Sequence, residues 1–137
     1  MSAFVLDCSV AISWILKDEA DEEADSLLDL LEEEDAVVPS LWRLELGNVL
    51  VKAEKRGRLT IADSESAFAF ADTLPIVTDD ETEFRAFREI QALARSEELT
   101  TYDAAYLELA IRRGLPLATR DKALKAAAAR RGVATLP

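Results

Sequence analysis

Short apolar segments alternate with helix-like segments along the whole chain, and this alternation limits its fold more than any other feature. The apolar segments cover residues 2–7, 36–39, 75–78, 115–119 and 133–136. The residues between them repeat their apolar positions with the 3.6-residue period of a helix. Strands that are joined through helices lie parallel, because the crossover returns the chain to the same edge of the sheet. The pattern therefore predicts an α/β fold in which helices cover both faces of a short central parallel sheet.

Several residues in the chain are of types that favour helix ends. Ser9 is a candidate N-cap for the helix after the first strand, and Ser40 for the third helix, which is predicted to stop at Gly57. The acid-rich segment 18–34 and the segment 80–97 are each predicted to form one helix.

The size of the chain favours one domain that spans residues 1–137. Its net charge of −11 opposes binding to nucleic acid through overall charge, so a polyanionic substrate would need local basic patches and a metal ion. The longest apolar runs are far shorter than the roughly 20 residues of a membrane span, and no signal segment opens the chain. We therefore expect a cytoplasmic protein that has no membrane partner.

The residue types that are missing narrow the chemistry. The chain has no histidine and a single cysteine, Cys8, so an internal disulfide and a thiolate zinc site are excluded. Without an imidazole, proton transfer near neutral pH must use a carboxylate of shifted pKa or a metal-bound water. Cys8 has no histidine to activate it, and we expect it to be a small buried filler rather than a nucleophile.

Four acids stand where a surface charge is not expected. Asp7 directly follows the first predicted strand and Asp121 follows the fourth, so both are expected at the carboxyl edge of the sheet, where ligands of open α/β sheets bind. Glu45 has mainly apolar neighbours one turn away on its helix. Asp103 heads the apolar stripe of the helical segment 99–114.

Each of these acids also has a purely structural explanation. Asp7 and Asp121 could cap helices, and Thr100 with Asp103 resembles a capping box. Glu45 could pair with an exposed base nearby. These explanations do not account for the placement of every one of the acids at a strand exit or on an inner helical stripe.

Carboxylates that share one pocket raise one another's pKa, and a divalent cation removes that cost. Oxygen ligands favour magnesium and manganese over zinc. Ser9, Asn48 and Thr119 are candidates to support such ligands with hydroxyl or amide groups. A site of this kind suits metal-dependent hydrolysis of a phosphodiester.

Several stretches of the sequence resemble the PIN-domain toxins of the VapC type. They are "VLDCSVAISWIL", "VPSLWRLELGNVLVKAEKRGRL", "LTTYDAAYLELAIRRGLPLATRDKAL" and the closing "GV", and together they cover essentially the whole chain. The resemblance implies a PIN-like three-layer α/β/α fold in which the first and fourth strands are adjacent at the point where the strand order reverses. It assigns a catalytic site that binds Mg²⁺ or Mn²⁺ to Asp7, Glu45, Asp103 and Asp121, with Ser9 and Thr119 beside it.

The same resemblance implies an endoribonuclease that acts as the toxin of a type II toxin–antitoxin system. Such a protein cuts a specific RNA to arrest growth, is neutralised by a VapB-type antitoxin and is usually a homodimer. Arg43, Arg120 and Lys122 are the candidate contacts to the RNA phosphates.

Two other functions would use these residues differently. A phosphotransfer domain of the receiver or phosphatase kind would use Asp7 as its nucleophile and would leave Glu45 and Asp103 without a role. A non-catalytic binding module would use the acids as helix caps and would bind no divalent metal.

Overall fold

A computed structural model of the chain describes residues 3–137, apart from the side chain of Lys17. The strands are β1 (Ala3–Leu6), β2 (Asp35–Val38), β3 (Ile76–Thr78), β4 (Leu117–Ala118) and β5 (Thr135–Leu136). They form one parallel five-stranded sheet in the order β3-β2-β1-β4-β5. The predicted α/β class is confirmed. The first predicted strand began at Ser2, which lies outside the described residues.

Helices connect the strands and pack on the sheet. They are α1 (Cys8–Ile15), α2 (Glu22–Leu30), α3 (Trp42–Lys55), α4 (Ile61–Thr73), α5 (Thr82–Arg85), α6 (Glu89–Glu97), α7 (Thr101–Arg113) and α8 (Lys122–Arg130), with a short 3₁₀ helix at Lys17–Glu19. Between residues 3 and 137, none of these helices is long and apolar enough to cross a membrane.

The core lies around the central strand β1 and the helix α7. Phe4, Val5 and Leu6 of β1 have no exposed surface. Every residue of α7 from Ala104 to Ala110 is buried, because this helix packs on β1 and β4 and is itself contacted by α6 and α8. The buried stretch 104–110 follows directly after Asp103, so the acid at the start of α7 is attached to a fixed part of the core.

The strand order reverses between β1 and β4. From β1 the chain adds β2 and β3 on one side, and β4 and β5 then form on the other side. The pairing continues one residue past β1, where the Asp7 N–H donates to the Ala118 carbonyl at 3.0 Å. The predicted adjacency of the first and fourth strands is confirmed, and the residues that follow both strands meet at the carboxyl edge of the sheet.

Two predicted caps are wrong. The N-cap position of α1 is Asp7 rather than Ser9, which lies inside the helix. The N-cap position of α3 is Leu41 rather than Ser40, and Leu41 has helical backbone angles and makes no side-chain cap. The predicted end of α3 at Gly57 is confirmed, since this residue has a φ of 75° that other residue types rarely adopt.

The predicted helix over 80–97 is two helices. Phe84 and Phe87 lie in this segment with side chains that are 58% and 90% exposed. α5 is held at the start of α3 by the Ser40 N–H, which donates to the Thr82 hydroxyl at 3.1 Å, whereas α6 packs along α7. One straight helix cannot meet both partners, so the chain breaks between them.

The predicted helix over 18–34 begins later and ends earlier than expected. A 3₁₀ turn at Lys17–Glu19 comes first, and α2 starts after Asp21, whose side chain accepts the Glu23 N–H at 2.9 Å. The Asp21 side chain thus competes with continued helix at that point and acts as an N-cap.

Candidate active site

Asp7 is buried at the end of β1 and is held by two hydroxyl groups. Its Oδ2 accepts hydrogen bonds from Ser9 Oγ and Thr119 Oγ1, both at 2.7 Å. Although Asp7 occupies the N-cap position of α1, its side chain makes no capping hydrogen bond. The cap explanation therefore does not describe this carboxylate, which is 5% exposed.

The same two hydroxyl groups join β1 to the segment that follows β4. Ser9 Oγ accepts the Arg120 N–H at 2.9 Å, and Thr119 Oγ1 accepts the Asp121 N–H at 3.1 Å. Each hydroxyl thus donates to Asp7 and accepts from the backbone, so its hydrogen-bonding capacity is well used. This arrangement fixes the position of Asp121 relative to Asp7.

Asp121 is also a helix cap. Its Oδ2 accepts the Leu124 N–H at 2.8 Å at the start of α8. The cap explanation is therefore correct for one of its oxygens, and the charge of the carboxylate acts on its neighbours in addition: it raises the pKa of both Asp7 and Asp103.

Asp103 lies in the first turn of α7. The capping box that its spacing resembles is only half formed: Thr100 Oγ1 accepts the Asp103 N–H at 3.1 Å, and the return bond from the Thr100 N–H to the carboxylate is absent from the described structure. Burial, followed by the charges of Asp7 and Asp121, raises the pKa of Asp103 to about 6.

Glu45 reaches the site from α3 and is bound by a residue that the sequence analysis did not single out. The hydroxyl of Tyr106, which is fully buried on α7, donates to Glu45 Oε1 and lies 3.7 Å from Cys8 Sγ. The Cys8 thiol donates to the Trp42 carbonyl at 3.4 Å. A tyrosine in the buried middle of a helix needs a partner for its hydroxyl, and this was the available signal for Tyr106.

Cys8 is buried against these groups. Burial, and then the nearby Glu45 carboxylate, raises the pKa of its thiol above the usual range. A thiol that resists ionisation is a poor nucleophile, which agrees with a filler role for this residue.

The acids at this edge of the sheet repel one another. Burial raises the pKa of Asp7, and the bonds from Ser9 and Thr119 offset only part of that effect. Burial likewise raises the pKa of Glu45, where the bond from Tyr106 opposes it and the charges of Asp7 and Asp103 add to it. The four carboxylates therefore form one electrostatic group.

The positive charge that would balance this group is missing from the described side chains. Within residues 3–137, leaving out Lys17, no lysine or arginine forms an ion pair with any of the four acids. Uncompensated oxygen donors at a half-open edge fit a hard divalent cation such as Mg²⁺ or Mn²⁺. The donor set thus suits the metal that the sequence predicted.

A second group of acids, unlike the first, is neutralised by arginine side chains. Asp79, Asp80 and Glu81 are the three acids in the described part of the chain whose oxygens lie within 4.8 Å of one another, and the four predicted acids do not form so tight a group. Asp79, however, has no exposed surface and is paired with Arg112 at 2.8 Å and Arg113 at 2.9 Å. Despite burial, these arginines lower the pKa of Asp79. Its charge is already balanced, which favours a structural role.

The residues predicted to contact RNA lie in different surroundings. Arg43 donates to the Thr78 hydroxyl at 2.7 Å and lies over the Trp42 ring at 5.9 Å. Lys122 is exposed at the start of α8. Asn48, one of the predicted supporting residues, is exposed on α3 one turn after Glu45.

Arg120 is turned toward acids from the α1–α2 connection. Its guanidinium donates to the Glu19 carbonyl at 3.0 Å and lies 3.4 Å from an Asp21 carboxylate oxygen. A cavity of about 330 Å³ lies here, lined by Ser9, Ile12, Glu19, Arg120 and Asp121. The cavity joins Arg120 to the acidic site.

Comparison with known proteins gives a family and a set of similar folds. The family model described as "PIN domain" matches residues 4–130. No curated protein sequence was found to match the chain. Among solved structures, PAE2754 from Pyrobaculum aerophilum is 24% identical with a TM-score of 0.71, and the alignment covers 98% of this chain and 83% of that one.

Two further structures share the fold. VapBC2 from Rickettsia felis, bound to a DNA fragment from its promoter, is 17% identical with a TM-score of 0.66, covering 97% of this chain and 96% of that one. FitAcB from Neisseria gonorrhoeae is 23% identical with a TM-score of 0.54, covering 98% and 96%. At these identities the likeness shows the fold alone, whereas the family model covers most of the chain.

Proposed function

The chain belongs to the PIN-domain family, as its sequence predicted, and on that premise we propose that it is a metal-dependent endoribonuclease, the toxin of a type II toxin–antitoxin system. It would cut a specific RNA in the cytoplasm and so arrest growth. The observation that carries the proposal is the set of four acids at the β1–β4 edge, which no described basic side chain neutralises and among which Asp7, Glu45 and Asp103 have raised pKa values.

The acids would share one task in the proposed site, which is to bind the cation. Asp7, Glu45, Asp103 and Asp121 would hold Mg²⁺ or Mn²⁺. When bound, the cation would supply Lewis-acid stabilisation of the charge that develops on the scissile phosphate and would lower the pKa of a nearby water.

The residues around the acids would keep this geometry fixed. Ser9 and Thr119 hold one oxygen of Asp7, and the Leu124 N–H holds one oxygen of Asp121, so neither carboxylate needs to reorganise during the reaction. In the chain without metal, burial and the charges of Asp7 and Asp121 raise the pKa of Asp103 to about 6, so a proton would compete with the cation for this carboxylate as the pH falls toward that value.

A cleavage assay tests the proposal. RNA ends should be mapped after brief induction of the chain and of its Asp7→Asn variant, and the purified protein should be assayed with EDTA and with Mg²⁺ or Mn²⁺ added back. We expect cleavage that needs Asp7 and the cation. Undiminished cleavage in excess EDTA would exclude the metal mechanism.

The phosphotransfer alternative rests on Asp7 alone. It is disfavoured because both the Ser9 and Thr119 hydroxyls point at one Asp7 oxygen and because Glu45 and Asp103 share its electrostatic environment. An aspartyl-phosphate trapped at Asp7 would support that alternative.

We propose that the antitoxin binds a groove at the end of α1. The groove has a volume of about 580 Å³ and combines apolar side chains with charged ones at its edge. It is lined by residues that include Trp14, Ile15, Leu59, Phe70, Asp18 and Arg58. Such a surface fits an amphipathic helix from a VapB-type partner, and the likeness to VapBC2 supports a partner of this kind.

Co-purification tests this partner. The chain and the product of its operon neighbour should form a stable complex in which cleavage is inhibited, and an uninhibited mixture of the two would contradict the proposal. We also expect the chain to be a homodimer, as the resemblance implies, and light scattering should then give twice the mass of one chain.

A further inference from the structure

Three acids of the proposed site are held in place by different kinds of donor. Asp7 is bound by two hydroxyl groups and Asp121 by a backbone N–H. Glu45 has a single side-chain donor among the described residues, the hydroxyl of Tyr106. The bond to Glu45 differs from the bond to Asp121 because it joins two helices, α3 and α7, whereas the Leu124 N–H caps Asp121 at the start of α8.

Tyr106 is well placed to control Glu45. Its ring has no exposed surface, and it lies one turn after Asp103 on the helix that packs on β1 and β4. The rigid core therefore fixes the hydroxyl, whereas Glu45 is half-buried on α3 and carries a flexible side chain. The bond joins a fixed donor on one helix to a movable acceptor on another.

The surroundings of Glu45 would drive it outward without this bond. Asp7 and Asp103 both repel its carboxylate, and it forms no ion pair with the described arginines and lysines. The second acceptor near the Tyr106 hydroxyl, Cys8 Sγ, is neutral and 3.7 Å away, so it competes weakly for the proton.

We propose that Tyr106 is a positioning residue for Glu45: its hydroxyl holds Oε1 and so would leave Oε2 available to bind the cation. This inference rests on the proposed function, because it assigns Glu45 to the metal site. It implies that the affinity for metal depends on Tyr106, although Tyr106 does not itself bind the metal.

The test is the binding of Mn²⁺ alone to the purified chain, followed through the electron paramagnetic resonance signal of free Mn²⁺. Tyr106→Phe keeps the ring and removes the hydroxyl. We expect its Kd for Mn²⁺ to be about 10- to 100-fold higher than that of the parent, the usual effect of losing a partner of a metal ligand. Thermal melts in EDTA should show that the variant folds.

Tyr102→Phe is the matched control. Tyr102 is the other tyrosine of the chain, lies on the same helix and is 61% exposed. The same chemical change there should leave the Kd for Mn²⁺ at the parental value.

A double-variant cycle separates a role through Glu45 from a general effect on packing. In a Glu45→Gln background, Tyr106→Phe should weaken Mn²⁺ binding by less than about twofold, because the group it positions has lost its charge. An equal loss in both backgrounds would overturn the positioning role, as would a parental Kd in the single Tyr106→Phe variant.

These outcomes are distinct from failure of the proposed function. A parent chain that binds no Mn²⁺ at millimolar concentration would overturn the metal site itself, and the role of Tyr106 with it. A parent that binds Mn²⁺ and a Tyr106→Phe variant that binds it equally well would overturn the role of Tyr106 alone.

Discussion

Asp121 combines two roles that one substitution can separate. Its Oδ2 caps α8 through the Leu124 N–H, and its charge raises the pKa of Asp7 and Asp103. Asparagine is nearly as good a cap as aspartate but lacks the charge. We expect Asp121→Asn to match or slightly exceed the parent in unfolding free energy without metal, within about 0.5 kcal/mol.

With metal, the same variant should differ from the parent. It should gain less stability from added Mn²⁺ and cleave RNA at least about tenfold more slowly, because the site has lost a charged ligand. Thermal melts with and without Mn²⁺, run beside a cleavage assay, measure both effects. A parental response to Mn²⁺ and full activity would leave Asp121 as a cap only.

Asp103 should make the stability of the metal-free chain depend on pH. Burial and the charges of Asp7 and Asp121 raise its pKa from 3.8 to about 6. Between these values the folded chain keeps a proton that the unfolded chain has released, so the contribution of Asp103 to stability decreases as the pH rises through this window. The raised pKa values of Asp7 and Glu45 act in the same direction.

Removing this charge should therefore stabilise the metal-free chain at neutral pH. We expect Asp103→Asn to raise the unfolding free energy in EDTA by about 1 kcal/mol at pH 7.5 and by almost nothing at pH 4. Urea unfolding across this range measures the difference, and Asp29→Asn, an exposed acid on α2, is the control. Identical pH profiles for the parent and Asp103→Asn would contradict the burial of this charge among like charges.

At the scale of elements, the end of β3 is joined to α7 by ion pairs of the buried Asp79. Asp79 follows β3 and binds Arg112 through two hydrogen bonds, at 2.8 and 3.1 Å, and Arg113 through one at 2.9 Å. Arg112 also donates to the buried Glu108 at 2.8 Å. Removing the Asp79 charge would leave Arg112 paired with Glu108 and Arg113 exposed to solvent, so the cost should be below the several kcal/mol of an uncompensated buried charge.

Substitutions in the four acids of the proposed site and in residues 79–81 should have different effects on stability and on metal binding. We expect Asp79→Asn to lower the unfolding free energy by about 2 kcal/mol, the loss of charged hydrogen bonds, while leaving the stabilisation by saturating Mn²⁺ unchanged. Asp103→Asn should show the reverse pattern: its unfolding free energy without metal should equal or exceed that of the parent, and Mn²⁺ should stabilise it less. Loss of the stabilisation by Mn²⁺ in Asp79→Asn alone would move the metal site to residues 79–81.

The strands could be predicted from the sequence because their burial is visible as local runs of apolar residues. Strands that are covered on both faces appear as short apolar runs, so each strand was found near its place. The division of 80–97 was not predictable, because Phe84 and Phe87 have the spacing of buried residues and are exposed. Their exposure depends on α5 and α6 packing against different helices, and local spacing does not contain that information.

The site residues were also predicted only in part. Asp7 and Asp121 were placed by topology, since residues after adjacent parallel strands must meet at one edge. Tyr106 was missed because its partner Glu45 is distant in sequence, and a tyrosine in an apolar stripe is most simply interpreted as core. The part that sequence could not supply is the pairing of side chains between α3 and α7.

For the whole molecule, the net charge of −11 must be reconciled with a polyanionic substrate. Binding of single-stranded RNA releases counterions, and log K falls with log salt at a slope of about −0.7 for each phosphate that is neutralised. Arg120 is the basic residue that lines the cavity beside the acids, and its guanidinium contacts Glu19 and Asp21. In this arrangement a phosphate must compete with two acids for Arg120, and RNA binding should be weak and only slightly salt-dependent.

Removing the acids that contact Arg120 should therefore strengthen RNA binding more than removing the same amount of negative charge elsewhere. In the cleavage-impaired Asp103→Asn background, we expect the pair Glu19→Gln and Asp21→Asn to tighten binding and to steepen the salt slope by about 0.7, the value for one added phosphate contact. Asparagine at 21 keeps the cap of α2.

The matched control removes the same charge elsewhere. Glu32→Gln with Glu33→Gln changes two exposed acids that form no ion pair with the described side chains, so it alters net charge without freeing Arg120. Its effect on affinity should be smaller and its salt slope parental. RNA binding measured by fluorescence anisotropy from 50 to 300 mM salt, roughly the range over which such slopes are resolved, compares the two pairs. Equal slopes would mean that Arg120 contacts no phosphate, and that the cation at the four acids attracts the RNA without help from this arginine.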